Sequence, residues 1–283
     1  MAGSILFDAP GPKTIARHRL YTVLTVLVLA ALVGFAVWRL EDTGQLVYDK
    51  WEVFWTPAYV EVIGEALLNT LKMAFGAILL AIVFGLVFGI GKLSEHALIR
   101  WPSWLVVEFF RAVPVLLLMI FIFYWLSIGG GPLSPLWCVI AALMLYNGAV
   151  LAEVFRAGVN AVPRGQAEAA YALGMRKSQV MLSVQLPQAV KIMLPSLISQ
   201  CVVALKDTSL GFYIVAPGLT AVARPIYQQF ANQVPTAIVI TAIYITVNLL
   251  LTALATWVQH RLIGEKNPID LSRVGNMDGG RAV

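Results

Sequence analysis

Charged side chains are scarce in this sequence: 12% of its 283 residues, against 59% that are hydrophobic. A soluble domain is closer to ~25% charged and ~45–50% apolar, so a water-soluble globular fold is excluded. Cysteine is nearly absent too. Cys138 and Cys201 both fall inside apolar runs and read as small buried hydrophobes, not as a disulfide or a metal site. The three histidines, His18, His96 and His260, lie outside those runs. HExxH, CxxC and the phosphate-binding loop are all missing, and Gly91-Lys92 lacks the upstream glycine such a loop needs. No metal or nucleotide cofactor is therefore expected on this chain. The apolar runs hold no nucleophile–base set, which sets aside an intramembrane enzyme. A net charge of +5 could suit nucleic acid, but the basic residues flank apolar runs instead of interleaving with aromatics. The expected surroundings are membrane lipid, and nucleic acid is not an expected partner.

What the sequence does have is long apolar segments. A helix needs about 20 mostly apolar residues to cross a hydrocarbon core of ~30 Å. Six segments qualify, at residues 20–39, 61–92, 103–127, 136–160, 188–210 and 236–260, giving an all-α integral membrane fold. The first is too long for a signal peptide's apolar region and ends in Trp38-Arg39-Leu40-Glu41-Asp42 instead of a small-residue cleavage site. With the N-terminus inside, only Arg39, Lys50 and Arg224 fall on the outer side. The inner side takes Lys13, Arg17, Arg19, Lys92, Arg100, Lys177, Lys191, Arg261 and others. That asymmetry predicts cytoplasmic termini.

Two outer segments are longer than turns. Residues 41–60 are acidic and aromatic and suit an interfacial helix. Residues 209–235 carry Gly211, Pro217, Gly218, Pro225 and Pro235 and must be broken into short pieces. Either segment could be a mere connector or a docking rim for an external partner.

On the opposite side, residues 161–187 interrupt the hydropathy without reading as a loop. Pro163 suits a first helical turn, Gln166 to Leu173 are strong helix formers, and Gly174 supplies the left-handed stop. A second helix is predicted from about Arg176 until Pro187 opens the next span. An amphipathic hairpin on the membrane surface is one reading. Its apolar face is small and alanine-rich, however, which suits close approach by a protein more than by lipid.

Glu168-Ala169-Ala170, then Gly174, then Val184-x-Leu186-Pro187 resembles the EAA loop of bacterial ABC-importer permeases, with Val184 where that family usually has isoleucine. Asn69-Thr70-Leu71, Phe110-Arg111-Ala112-Val113-Pro114, Ala152-Glu153-Val154-Phe155-Arg156 and Lys206-Asp207-Thr208-Ser209-Leu210 are similar to the polar amino-acid uptake subfamily, the histidine/glutamine/glutamate permeases. The resemblance runs from about residue 61 to 262. It implies a five-helix type I importer core at 61–262 with a coupling loop at 161–187. Outside the core lie a tail at 1–19, an added helix and outer segment at 20–60, and a tail at 263–283. It implies a bacterial plasma membrane protein that is not itself an enzyme. Its partners would be a second permease subunit in a heterodimer, two ATPase subunits carrying ATP and magnesium, and an extracytoplasmic solute-binding protein. The coupling residues it implies are Arg164, Gln166, Glu168, Ala169, Ala170, Gly174 and Arg176.

Ionisable residues within spans are costly and mark candidate sites. Lys72, Arg111, Glu153, Lys206 and Asp207 qualify, with Asn69, Thr208 and Ser209 beside them. Arg111 and Lys206 could instead snorkel to an interface, Pro114 could mark a kink, and Glu153 with Arg156 could be an ordinary i,i+3 pair. For a zwitterionic amino acid, Arg111 and Lys206 would face the carboxylate, and Glu153 and Asp207 the ammonium. Where the family commonly has an acid near Glu-Leu-Thr, this chain reads Ala216-Pro217-Gly218-Leu219-Thr220. That loss, with Lys72 and a similarity to actinobacterial glutamate permeases, favours glutamate or aspartate. The alternative is an ion-coupled carrier or channel that uses the intramembrane charges as a relay.

Overall fold

The computed structural model describes residues 11–263, which are built from helices and turns. The tails at 1–10 and 264–283, expected at the cytoplasmic face, lie outside the described residues. Helix α1 (Pro12–Asp42) is followed by two tight 3-10 turns, Tyr48–Lys50 and Glu52–Phe54. The single interfacial helix expected over 41–60 is thus replaced by α1's last turn and these pieces. Gly44, at φ 62°, makes the corner, and the Trp51 indole N–H donates to the Gln45 carbonyl at 2.8 Å. None of α1's apolar window is buried.

The centre of the molecule is the pairing of α2 (Pro57–Lys92) with α5 (Pro135–Asn160). Small residues make it possible. Ala74, Ala77, Ala81, Gly85 and Gly89 recur at helical spacing along α2 and are buried, and Gly148, Ala149 and Ala152 face them from α5. A Cβ on Gly85 would stand 2.7 Å from the Leu151 Cβ, and one on Gly148 would stand 2.8 Å from the Phe84 ring. Between lipid-solvated helices there is little hydrophobic drive, so close backbone approach and dispersion hold such pairs.

The segment expected as one span over 103–127 is broken. Helix α3 (Ala97–Ala112) and helix α4 (Val115–Leu126) meet at 100°. Pro114 pushes Val113 into the extended region (ψ 127°), and Pro114 itself has ψ 126°, so two consecutive residues leave the helix. This is much more than a kink.

After α5 come α6 (Arg164–Ala172), the short α7 (Lys177–Gln179), a π turn at Val180–Gln185, and α8 (Leu186–Asp207). From Lys177 to Ile214 the helical run is continuous for 38 residues. The expected boundary at Pro187 is therefore absent. Proline cannot donate to the Ser183 carbonyl, and the wider π turn just before it accommodates that missing bond. At the other end of the bundle, the 3-10 turn Thr208–Ile214 leads to α9 (Leu219–Phe230) and α10 (Gln233–Ile263). The expectation of short broken pieces over 209–235 matches this. Val215 (φ 55°) and Ala231 (φ 49°) hold left-handed corners that cost a non-glycine residue strain. The end of the bundle that carries α6 is called the insert end below, and the opposite one the far end.

Candidate functional site

Four polar features stand out. The first is the insert itself. Gly174 adopts φ +78°, so the chain reverses after α6 at the residue that does so without a Cβ penalty. The Arg176 N–H then donates to Gln179 Oε1 at 2.8 Å and starts the next helix. Arg164, Gln166, Glu168, Ala169, Gly174 and Arg176 are exposed, whereas Ala170 is buried within the chain at 5%. Two apolar side chains project beside them: Leu173, 84% exposed, and Tyr171. Lys177 pairs with Glu95 in the α2–α3 link. Its hydrogen bond and charge hold the Glu95 carboxyl below the ordinary carboxylate range.

The second is a charged cluster near the insert end of α2, α3 and α5. Lys92 Nζ, whose side chain is 6% exposed, contacts Glu108 Oε1 at 3.1 Å and also pairs with Glu153. Arg156 reaches Glu153 Oε2 at 2.8 Å, and Arg111 reaches Glu108 at 3.2 Å. Arg111 and Glu153 thus belong to one ion-pair network, each with partners inside the chain.

The third is a cleft of about 510 Å³ at the far end, between α8, α9 and α10. Lys206, Ser209, Thr220, Thr241, Tyr244 and Asn248 line it, with no carboxylate among the lining residues. Hydroxyl groups fix its walls. The Thr220 hydroxyl donates to the Ser209 carbonyl at 3.2 Å, and the Thr208 hydroxyl donates to the Leu205 carbonyl at 2.6 Å. Thr70 Oγ1 accepts from the Leu219 N–H at 3.0 Å and so ties α2 to the start of α9. Neither Lys206 nor Asp207 makes an ion pair among the described residues. Asn69 and Lys72 lie on α2, 3.5 Å apart at Oδ1 and Nζ, outside this lining. Arg111 and Lys206, expected on one carboxylate, therefore occupy two separate places, as do Glu153 and Asp207.

The fourth feature was not anticipated. Asn147 on α5, 1% exposed, accepts from Gln200 on α8 at 2.5 Å, and its own Nδ2 has no partner. Neither residue is ionisable, so neither carries the charge that marks a costly group within a span. The signal in the sequence is an uncharged amide within each of two apolar segments, because an amide in hydrocarbon also needs a partner.

Residues 65–264 match the family described as "Binding-protein-dependent transport system inner membrane component". The chain belongs to this family. It is the membrane-spanning permease component of an ABC importer, and in such machines ATP hydrolysis lies on separate subunits. It is 40% identical over 230 residues to the glutamate transport system permease protein GluD of Corynebacterium glutamicum, covering 79% of this chain and 83% of that one. It is 30% identical to the glutamate/aspartate import permease protein GltK of Escherichia coli O157:H7, over 70% of this chain and 92% of the relative. Among solved structures, an amino acid ABC transporter with histidines superposes with a TM-score of 0.67 at 30% identity, over 72% of this permease and 95% of that chain. The MetNI methionine ABC transporter, at 18% identity and a TM-score of 0.64, shares the fold. The type I importer core expected from the EAA-like spacing is the fold the permease has. Among the described residues no cluster of metal-ligating side chains is present.

Proposed function

We propose that this permease conducts an acidic amino acid, glutamate or aspartate, across a bacterial plasma membrane with both its termini in the cytoplasm. Its partners are a second, non-identical permease subunit, two ATPase subunits that bind ATP and magnesium, and an extracytoplasmic solute-binding protein. One observation carries the substrate class: Lys206 borders a hydroxyl- and amide-lined cleft whose lining has no acid. A cation without an ion-pair partner among the described residues attracts carboxylates and disfavours cationic amino acids. Similarity to permeases named for glutamate and aspartate supports the same choice.

Arg164, Gln166, Glu168, Ala169, Gly174 and Arg176 form the surface through which ATP-driven motion enters, with Leu173 and Tyr171 as its apolar contacts. Ala170 acts from behind, letting α6 sit close to the rest of the chain. Along the pathway, Lys206, Ser209 and Thr208 shape the substrate cleft, with Asp207 beside them and Asn69 and Lys72 on the neighbouring α2. Arg111 and Glu153 hold the helices at the insert end. Arg111 is paired with Glu108, and Glu153 with Lys92 and Arg156, so neither carboxylate of this cluster is left free to serve as a relay.

The test is uptake into proteoliposomes that contain this subunit and its partners. Radiolabelled glutamate should enter only with ATP, and aspartate should compete better than arginine or histidine. Lys206→Gln should lower kcat/KM for glutamate by about tenfold or more, as loss of a charge-assisted contact of ~1.5–3 kcal/mol requires. Gly174→Asp should leave assembly intact and abolish uptake; unchanged uptake would defeat the coupling assignment.

A further inference from the structure

Beside the charged cluster, α2, α3 and α5 enclose an open pocket of about 500 Å³ that shares no lining residue with the Lys206 cleft. Its floor is Lys92, and its walls carry Arg100, Arg156, Glu108 and Glu153. Both carboxylates are already neutralised, Glu153 by Lys92 and Arg156 and Glu108 by Lys92 and Arg111. The lining thus carries three basic groups against two acids, and Arg111 outside it also pairs with Glu108, so the surplus is positive. Arg100 is held at the mouth, where Nη1 donates to the Ser94 and Glu95 carbonyls at 3.3 Å each. Trp101 and Trp104 form the rim, stacked edge to face at 5.8 Å and 63% and 45% exposed. Below that rim α3 continues into the exposed apolar side chains Leu105 and Phe109.

A cationic pocket framed by tryptophan and running into an apolar strip describes an amphiphile. Tryptophan settles at the headgroup level of a bilayer, and arginine pairs bidentately with phosphate. A soluble anion would need the charge but not the strip. The geometry points to a binding site for an anionic phospholipid at the insert end of α2, α3 and α5. Its phosphodiester contacts Arg100 and Arg156, its glycerol backbone lies against Trp101 and Trp104, and one acyl chain follows Leu105 and Phe109. Because Lys92 on the pocket floor joins α2, α3 and α5, an occupied site holds together the helices that bracket the insert.

The experiment uses the full-length chain purified with its partner subunits, in nanodiscs of phosphatidylcholine with or without phosphatidylglycerol of the same acyl chains. A nanodisc offers the same lipid to both faces, so the readout is independent of which face is cytoplasmic and of the transported substrate. Native mass spectrometry should show phosphatidylglycerol retained in preference to phosphatidylcholine. Arg100→Gln and Arg156→Gln should each weaken retention about fivefold, the ~1 kcal/mol of a basic residue at an anionic surface, and together about 25-fold. Arg17→Gln with Arg19→Gln should leave retention at this site unchanged. Brominated phosphatidylglycerol should quench wild-type fluorescence more than brominated phosphatidylcholine does, and Trp101→Phe with Trp104→Phe should remove that difference. This second readout needs no change in the arginines. Equal retention of the two lipids, undiminished retention by the double arginine variant, or displacement of the lipid by soluble glycerol phosphate would each overturn the assignment.

Discussion

Gly85 and Asn147 show how much a single position decides inside this bundle. At Gly85 the α2 backbone lies so close to α5 that a methyl group would meet Leu151 Cβ at 2.7 Å, an atom fixed to the opposing backbone. Gly85→Ala should therefore push the two helices apart and cost about 1–3 kcal/mol, read from unfolding in mixed micelles against a conservative change such as Val87→Ile on the lipid-facing side. Asn147 sets a polar constraint instead. Gln200→Leu should remove the 2.5 Å hydrogen bond and leave the buried Asn147 amide wholly unpaired. Membrane double-mutant cycles put such couplings near ~0.6 kcal/mol, up to ~1.7. The pair Asn147→Leu/Gln200→Leu should accordingly lose less stability than the two single changes summed. The glycines were visible in the sequence only as glycines. Which of them touch another backbone depends on the register of two segments some 60 residues apart, and periodicity within either one carries no record of it.

At the scale of elements, the insert-end cluster joins α2, α3 and α5 through Lys92. Glu153→Gln should cost about 3 kcal/mol, since it leaves a nearly buried ammonium with Glu108 alone, and adding Lys92→Met should recover part of that loss. The link between α2 and α3 is tied to the insert by an exposed pair. Because Glu95 has a depressed pKa, the pair contributes at pH values above the ordinary carboxylate range and is lost as pH falls through the depressed value. Hydrogen-exchange protection over 93–96 and 176–180, taken relative to the intrinsic rate at each pH, should be constant near neutral pH and fall in acid, and Glu95→Gln should show the lower protection throughout. Helices α2, α5 and α10 were legible because a segment of 25 or more mostly apolar residues admits one solution in a bilayer. The bend between α3 and α4 was not, because hydropathy is continuous across Pro114 and the proline alone permits anything from a slight kink to a corner. What selects the 100° turn is tertiary packing: Val107 against Ala149 and Ala152 on one limb, and Leu118, Met119 and Ile122 against Val139 and Leu143 on the other.

For the whole molecule, α1 stands apart from the transport core. With no part of its apolar window buried, it contributes lipid contacts and little else to the fold. A chain beginning at residue 44 should melt within about 2 °C of the full-length protein in the same nanodisc, because removal of surface groups usually changes stability by ~0.5 kcal/mol or less. A larger drop would mean that α1 braces the core. The insert could be read from its turn residue and helix formers, whereas its junction with α8 could not, since Pro187 looked like a beginning and is an interior residue of a continuous run. That continuity has a mechanical consequence. Lys177 in the insert and Lys206 in the wall of the far-end cleft lie on one 38-residue helical run. At ~1.5 Å per residue they are about 43 Å apart along its axis, so a tilt of about 5° at one end displaces the other by roughly 4 Å. The run has the geometry of a lever arm, and under the coupling proposed above a small push at the insert would shift the wall of the far-end cleft by a few ångströms without unfolding a helix.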